Sequence, residues 1–347
     1  MPPPKKLTVA VTGPTGEIGI PFVSHLDQLD EVGRIVAMAR RPFDPETHGW
    51  KKVEYHRGDV LDTTAVDELV DGADVVVHLA FVIVAGDGSH EANVEGSRNV
   101  FSACASARVK RLVYTSSVAA YGFDGDHGSA DAPLTEDVPV RGGDRHPYSA
   151  QKAEVEAVLT EALDGSKTAA YVFRPCIVAG PQATILVDSL PTIPLKGRIP
   201  DAVRSLFDQV PVLKPVLPDP GVPLQLVHHD DVAAALCSAV LGRGEPGIYN
   251  LAGEGTITLG DLAREIGWYS VPVPDLLVDA TAEVIARLPF LPDTASWIEA
   301  LRRPVLMDTA RARGELRWTP RHDAAATLHD MVAANRDDLE AVTQRGA

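Results

Sequence analysis

Three glycines in the pattern G-x-x-G-x-x-G (Gly13, Gly16 and Gly19) follow a short apolar segment that begins at Leu7 and precede a stretch of helical periodicity over residues 17–29. A strand, a tight turn and a helix in that order constrain the chain more than any other feature in it. Gly13 can take backbone angles closed to residues with a Cβ, Gly16 lets main-chain N–H groups approach a pyrophosphate, and Gly19 lets the helix lie close to the strand. The N-terminal end of the helix then aims its partial positive charge at the phosphates. A glycine-rich turn that holds no ligand satisfies the spacing equally well. The setting of the triplet, between a strand near the N-terminus and an amphipathic helix, favours a dinucleotide.

The same alternation recurs downstream. Apolar segments at 34–39, 53–56, 75–80, 111–115 and 169–173 are separated by helical stretches at 63–70, about 90–107 and 148–163, which indicates an α/β chain with a doubly wound parallel sheet. The fourth strand, Val75-Val76-Val77-His78-Leu79-Ala80, is apolar on both faces, and His78 inside it reads as a core histidine rather than a catalyst. Asp62 is placed to cap the helix at 63–70. The second strand ends in Arg40-Arg41-Pro42. An acidic residue there would accept hydrogen bonds from an adenosine ribose and repel a 2′-phosphate, whereas a guanidinium fork suits that phosphate. NADP is therefore expected, with NAD the open alternative and a solvated basic turn the bland one. Asp59, at the end of the third strand, is positioned to accept an adenine amino group or to serve as a plain turn aspartate.

Composition narrows the partners. A net charge of −16 makes a nucleic-acid backbone or an anionic membrane surface a poor match. Cys104, Cys176 and Cys237 are far apart, odd in number and form no C-x-x-C, which argues for a reducing compartment and against a zinc site. The longest apolar run, residues 75–85, is interrupted by His78 and too short to span a bilayer. Residues 1–6 read as a disordered tail without the apolar core of a leader. A cytoplasmic protein with a small-molecule substrate, no metal, no nucleic acid and no membrane partner is expected.

Residues 118–147 are rich in Gly, Asp and Pro and read as a long functional loop. The loop delivers Tyr148-Ser149-Ala150-Gln151-Lys152 to the start of a helix, with His146-Pro147 marking the boundary. Tyr148 and Lys152 are one helical turn apart and share a face. A phenol with a pKa of about 10 is a poor base at neutral pH, and a neighbouring ammonium is expected to lower it. Ser117, at the tip of the fifth strand, is placed to donate a second hydrogen bond to the same substrate oxygen. Each residue alone has an ordinary structural reading; all three behind a nucleotide-binding loop do not. His228-His229-Asp230-Asp231 reads as a strand end feeding a capped helix at 232–241, because adjacent residues rarely converge on one ion.

On these motifs the chain resembles the extended short-chain dehydrogenase/reductase superfamily, the NAD(P)-dependent epimerase/dehydratase group. The segments carrying the resemblance are T-G-P-T-G-E-I-G at 12–19, G-D-V at 58–60, H-L-A at 78–80, N-V-E-G at 93–96 and Y-T-S-S-V-A-A-Y-G at 114–122. L-T-E-D at 134–137, Y-S-A-Q-K at 148–152, R-P-C-I-V-A-G-P at 174–181, V-H-H-D-D-V-A at 227–233, Y-N-L-A-G-E at 249–254 and L-R-W-T-P at 316–320 follow in the same order. The resemblance implies a Rossmann-type fold with a smaller discontinuous substrate-binding domain, residues 1–175 and 224–250 binding the dinucleotide and residues 176–223 and 251–347 the substrate. It implies a catalytic Ser117–Tyr148–Lys152 set, with Ser117 chosen over Ser116, Tyr148 as acid/base and Lys152 also holding the nicotinamide ribose. Gly13, Thr15, Gly16, Glu17 and Ile18 would meet the pyrophosphate, and Asp59 and Val60 the adenine. Leu79, Ala80, Phe81, Asn93 and Thr115 would line the cofactor, and Pro175, Cys176 and Ile177 would border the nicotinamide. A homodimer is also implied.

The resemblance thins in the substrate half. Between residues 181 and 227 the basic residues Lys196, Arg198, Arg204 and Lys214 are balanced by Asp188, Asp201, Asp208 and Asp219, and Pro175-Cys176 stand where sugar epimerases carry an Asn after the arginine. Leu186, Leu190, Ile193, Phe207, Val210 and Val212 point to an apolar pocket, as in the ketone and aldehyde reductases of the superfamily. Arg287, Arg302 and Arg303 are placed to reach in from the C-terminal portion. An oxidoreductase acting on a carbonyl or secondary alcohol is the first reading. A nucleotide-sugar epimerase or dehydratase and a non-catalytic cofactor sensor are the alternatives.

Overall fold

In a computed structural model the described residues are 5–83, 86, 88–123, 128–143, 146–183, 216–273 and 303–336. In chain order the elements are β1 (Leu7–Thr12), α1 (Gly19–Gln28), β2 (Val32–Ala39), β3 (Val53–Arg57), α2 (Thr63–Val70), β4 (Val75–His78), α3 (Ser89–Ser106), β5 (Arg111–Thr115), α4 (Pro147–Ala162) and β6 (Ala169–Pro175). There follow β7 (Ile177–Ala179), β8 (Val216–Asp219), β9 (Leu226–His228), α5 (His229–Val240), β10 (Gly247–Leu251), α6 (Leu259–Glu265), β11 (Tyr269–Pro272), α7 (Ala310–Glu315) and α8 (Ala324–Ala334).

Period-two burial divides the strands between two cores. Val9, Val11, Val75, Val77 and Val113 face one side, where Phe22, Val23 and Leu26 of α1 and Val232 to Val240 of α5 cover them. Ala10, Val76, Leu112 and Tyr114 face the other, under Val66 and Leu69 of α2, Val100 and Phe101 of α3, and Val155 and Leu159 of α4. Strands apolar on both faces need helices on both faces, and the result is three layers. The sheet is parallel throughout, in the order β10-β6-β5-β4-β1-β2-β3. The chain leaves β1 toward β2 and β3 on one side and crosses to β4 on the other. The crevice at the carboxyl ends of β1 and β4 is the switch point where such sheets bind ligands.

Several local expectations hold. Asp62 accepts from the amides of Thr64 at 3.0 Å and Ala65 at 3.3 Å and so starts α2, and Asp323 does the same for α8 through Ala326 at 2.7 Å. The stretch expected as loop from 118 begins differently: residues Val118–Tyr121 form a 3-10 turn that Ser117 caps, and Leu134 bridges to Met307. Short-range capping and a pairing partner 173 residues away order a segment whose composition reads as irregular. The helix expected at 232–241 begins three residues earlier, because His228 itself serves as cap, its ring nitrogen accepting from the Asp230 amide at 3.2 Å.

A third, smaller core lies beyond the main sheet. Leu217, Leu224, Leu226, Leu262, Trp268, Leu328 and Met331 fill it beneath the two-stranded pairs β7-β9 and β8-β11. The tail at 1–4, the apolar set from Leu186 to Val212, the charges from Asp188 to Lys214, and Arg287 and Arg302 lie outside the described residues. Among the described residues no helix is long and apolar enough to cross a membrane.

Candidate active site

The glycine turn takes the shape its spacing implies. Gly13 has φ +70°, and a Cβ there would stand 2.7 Å from the Ala80 amide nitrogen. A Cβ on Gly19 would land on the Gly13 carbonyl oxygen, so α1 can pack this close to the turn only through a glycine. Gly16 is different: its nearest neighbour would be 3.7 Å away, and it faces open space. No side chain caps the first turn of α1, and no acidic residue occupies it. An N-terminus left in that state favours an anion.

A cleft of about 800 Å³ opens here, lined by Gly13, Thr15, Gly16, Arg40, Arg41, Asp59, Val60, Leu79, Ala80, Phe81 and Asn93. Its chemistry suits a dinucleotide, from the glycine turn at the N-terminus of α1 to the exposed cations at the far end. Arg40 and Arg41 are exposed and, among the described residues, neither pairs with a carboxylate. One Asp59 oxygen accepts from the Leu61 amide at 3.1 Å, so the turn role and a place in the cleft coexist. Asn93 is 1% exposed and its amide is fully engaged: it accepts from Val82 N at 2.7 Å and donates to Val82 O at 2.9 Å and Gln151 at 2.7 Å. It fastens the loop after β4 to α4.

Past Phe81 lie the residues of the expected catalytic set. Tyr148 and Lys152 share the inner face of α4, and Ser117 stands at the end of β5. The two adjacent serines are separated by their partners. Ser116 donates to Glu156 at 2.6 Å, whereas Ser117 caps the 3-10 turn through Ala119 N at 3.1 Å and hydrogen-bonds Tyr148. Lys152 is 3% exposed and donates to the Thr115 carbonyl at 2.9 Å. Burial pulls its ammonium down to about 7, against the opposing attraction of Glu156. Cys176 is buried at the end of β6, its amide donating to Leu251 O at 2.9 Å, between Pro175 and the half-buried Ile177.

The phenol does not follow the sequence expectation. Tyr148 is pushed up to about 12 by burial, and the neighbour that works against the rise is Ser117. Lys152 does not acidify it here, because its Nζ is turned to the Thr115 carbonyl and lies 5.8 Å from the centre of the Tyr148 ring. Desolvation raises a phenol and lowers an amine, and in this site it outweighs their mutual attraction.

Glu156, which the motifs did not single out, and Arg174, the first residue of the motif at 174–181, complete the setting. Glu156, two turns beyond Tyr148 on the same face, accepts from Arg174 Nε at 2.9 Å and from Arg174 Nη2 at 2.5 Å. Both are buried, at 8% and 2% exposure, and Arg174 lies 4.5 Å from the centre of the Tyr121 ring. The i, i+8 spacing made Glu156 legible, but its partner on β6 was not. His78 is satisfied as expected, with Thr12 Oγ at 2.8 Å and Ser97 Oγ at 2.9 Å on its two nitrogens, and burial holds it down to about 3.

The histidine cluster is larger than the sequence implied. His322 stacks on His228 with ring centres 4.0 Å apart, and polar atoms of His228, His322 and Asp330 approach one another, as do those of His228, His229 and Asp230. Since His228 Nδ1 accepts from a backbone amide, its proton resides on Nε2, which removes that lone pair from coordination. Asp231 instead binds the C-terminal segment, accepting from Arg321 N at 2.9 Å and His322 N at 3.1 Å.

A family model, the NAD dependent epimerase/dehydratase family, matches residues 9–252. The chain belongs to that family. Among curated proteins it is 36% identical over 154 residues to a 3β-hydroxysteroid dehydrogenase/decarboxylase of Arabidopsis thaliana, covering 42% of this chain and 34% of that one. It is 35% identical over 201 residues to the 2-alkyl-3-oxoalkanoate reductase of Stenotrophomonas maltophilia, covering 56% and 57%. The chain thus spans between a third and three-fifths of the length of these relatives. In fold it matches the dTDP-glucose 4,6-dehydratase of Bacillus anthracis, solved with NAD, at a TM-score of 0.68 and 19% identity over 96% of this chain and 98% of that one.

Proposed function

We propose that this family member is an oxidoreductase of the extended short-chain dehydrogenase type that prefers NADP and acts on a carbonyl or secondary alcohol of a fairly apolar small molecule. The observation that carries the reading is the meeting of Ser117, Tyr148 and Lys152 behind Phe81, which lines the cleft at the glycine turn. Exposed Arg40 and Arg41 support a 2′-phosphate at the other end. Gly13, Thr15, Gly16, Glu17 and Ile18 would hold the pyrophosphate, with Asp59 and Val60 at the adenine. Leu79, Ala80, Phe81, Thr115, Pro175, Cys176 and Ile177 would form the walls, and Asn93 would act through the loop it fastens. When bound, the nicotinamide supplies or receives the hydride.

The protein's own part is positional and protonic. Ser117 would hold the substrate oxygen and Tyr148 would exchange the proton with it. A phenol held near pKa 12 is protonated at neutral pH, so in carbonyl reduction it is already in the donor form. A shallow surface depression lined by Tyr121, Phe123, Leu134, Val138, Pro139, Arg141 and Arg303 combines apolar and cationic side chains, which suits an apolar molecule with an anionic end. The alkanoate of the Stenotrophomonas enzyme has that character. We place the dinucleotide in residues 1–175 and 224–250 and the substrate in the remainder, and we propose a cytoplasmic homodimer.

The nucleotide-sugar alternative draws on the dehydratase fold match. Elimination needs an acid and a base besides the tyrosine, yet Val118, Ala119 and Ala120 follow Ser117, and the Glu156 carboxylate is committed to Arg174 and Ser116. The test is a panel of apolar ketones, 3-oxo acids and UDP- and dTDP-sugars, each with NADPH and NADH, followed by nicotinamide absorbance. Consumption of NADPH with an apolar oxo compound is expected. Turnover of a sugar nucleotide with no net change in absorbance would overturn the proposal.

A further inference from the structure

Phe81 lines the cleft and also touches two residues of the catalytic set. Its ring centre lies 3.7 Å from Lys152 Nζ, and its edge-to-face contact with Tyr148 has centres 5.6 Å apart. With Tyr114 at 5.2 Å and Tyr148 at 5.8 Å, it boxes the amine in three aromatic rings. The only hydrogen bond recorded for Nζ among the described residues is the one to the Thr115 carbonyl. An aromatic face within about 6 Å attracts a cation, and the attraction grows when water is excluded.

The backbone holds Phe81 in place from both sides. Leu79 N donates to Thr12 O at 3.1 Å and Ala80 N to Thr12 Oγ at 3.3 Å, while Val82 is held through its amide and its carbonyl by Asn93. Asn93 in turn reaches Gln151, the neighbour of Lys152 on α4, at 2.7 Å. The contacts close a loop from Lys152 through Phe81, Val82, Asn93 and Gln151 back to Lys152. A ring anchored on both sides and returned to the same helix is built to meet this amine.

We propose that Phe81 is a positioning residue that fixes the Lys152 amine against its ring in the free enzyme and favours its ammonium form. The proposal rests on the reading of Lys152 as part of the catalytic set. The groups that bear on Lys152 are Glu156 on α4, which favours its charge, His78 on β4, which is neutral, and the phenols of Tyr114 on β5 and Tyr148 on α4. Against the desolvation that discharges the amine stand Glu156, the Thr115 carbonyl and the aromatic faces.

The test is a titration of the free protein, with 13C-labelled lysine observed by NMR and the Lys152 signal assigned by Lys152→Arg. Phe81→Leu keeps the bulk and removes the ring, and Phe81→Tyr keeps the face. The Lys152 midpoint should fall by roughly half to one pH unit in the leucine variant and return in the tyrosine variant. The alkaline limb of kcat/KM for the cofactor should move with it, since that parameter reports the free enzyme. A midpoint unchanged in Phe81→Leu overturns the proposal, as does a uniform loss of cofactor affinity at every pH with no shift. Full turnover in Lys152→Met would instead sink the catalytic reading, so the two failures are distinguishable.

Discussion

The two ends of the cleft are made in opposite ways. At the end proposed for the adenosine, Arg40 and Arg41 are exposed and Asp59 half-buried at strand tips, where charge costs little and gains little. At the end proposed for the nicotinamide, Lys152, Ser117 and the Glu156–Arg174 pair are buried beside a half-buried Tyr148, and burial moves the amine to about 7 and the phenol to about 12. The first end recognises; the second changes protonation equilibria. Charge number matters at one end and desolvation at the other.

The largest effect is expected at the buried end. Tyr148→Phe removes the proton donor and should lower kcat by about 10²–10⁴-fold while leaving NADPH affinity near wild type. Comparable turnover in the variant would dissolve the contrast between the two ends, because the enclosed phenol would then do no chemistry.

Acid stability sharpens the comparison next. Burial lowers His78 to about 3 and His146 and His228 to about 4, so the folded protein keeps all three neutral. Unfolded imidazoles bind protons below about pH 6.5. The unfolded state therefore holds more protons as the pH falls from about 6 to 4.5, and stability should drop over that window, His78 alone contributing up to roughly 1.4 kcal/mol per pH unit. Urea unfolding at pH 7, 6 and 5 measures it. Equal midpoints at the three values would mean that the enclosure does not hold these rings neutral.

The smallest effect belongs to the open end. Arg40→Ala with Arg41→Ala should weaken NADPH by roughly tenfold and leave NADH alone, and added salt should mimic the change because exposed charges are screened. A wild-type preference for NADH, or a selectivity indifferent to salt, would break the assignment of that end.

Much of this was legible in the chain itself. The glycine triplet, the alternation of strands with helices, the caps at Asp62 and Asp323, and the shared face of Tyr148 and Lys152 all follow from spacings of a few residues. Backbone sterics and helix periodicity act over just that range. The preference for Ser117 over Ser116 comes from the family pattern alone; what the fold adds is the partner each hydroxyl finds, Glu156 for Ser116 and Tyr148 for Ser117.

What the sequence determined by itself, then, is the parallel α/β architecture and the positions of the reactive groups. The tertiary structure decided their chemical state. The partnership of Glu156 with Arg174, the ring of Phe81 against Lys152, and the stacking of His322 on His228 join residues 18, 71 and 94 positions apart. The lysine one turn away predicts a lowered Tyr148 phenol, whereas burial raises it, because desolvation sums over everything packed around a group and no local spacing contains that sum.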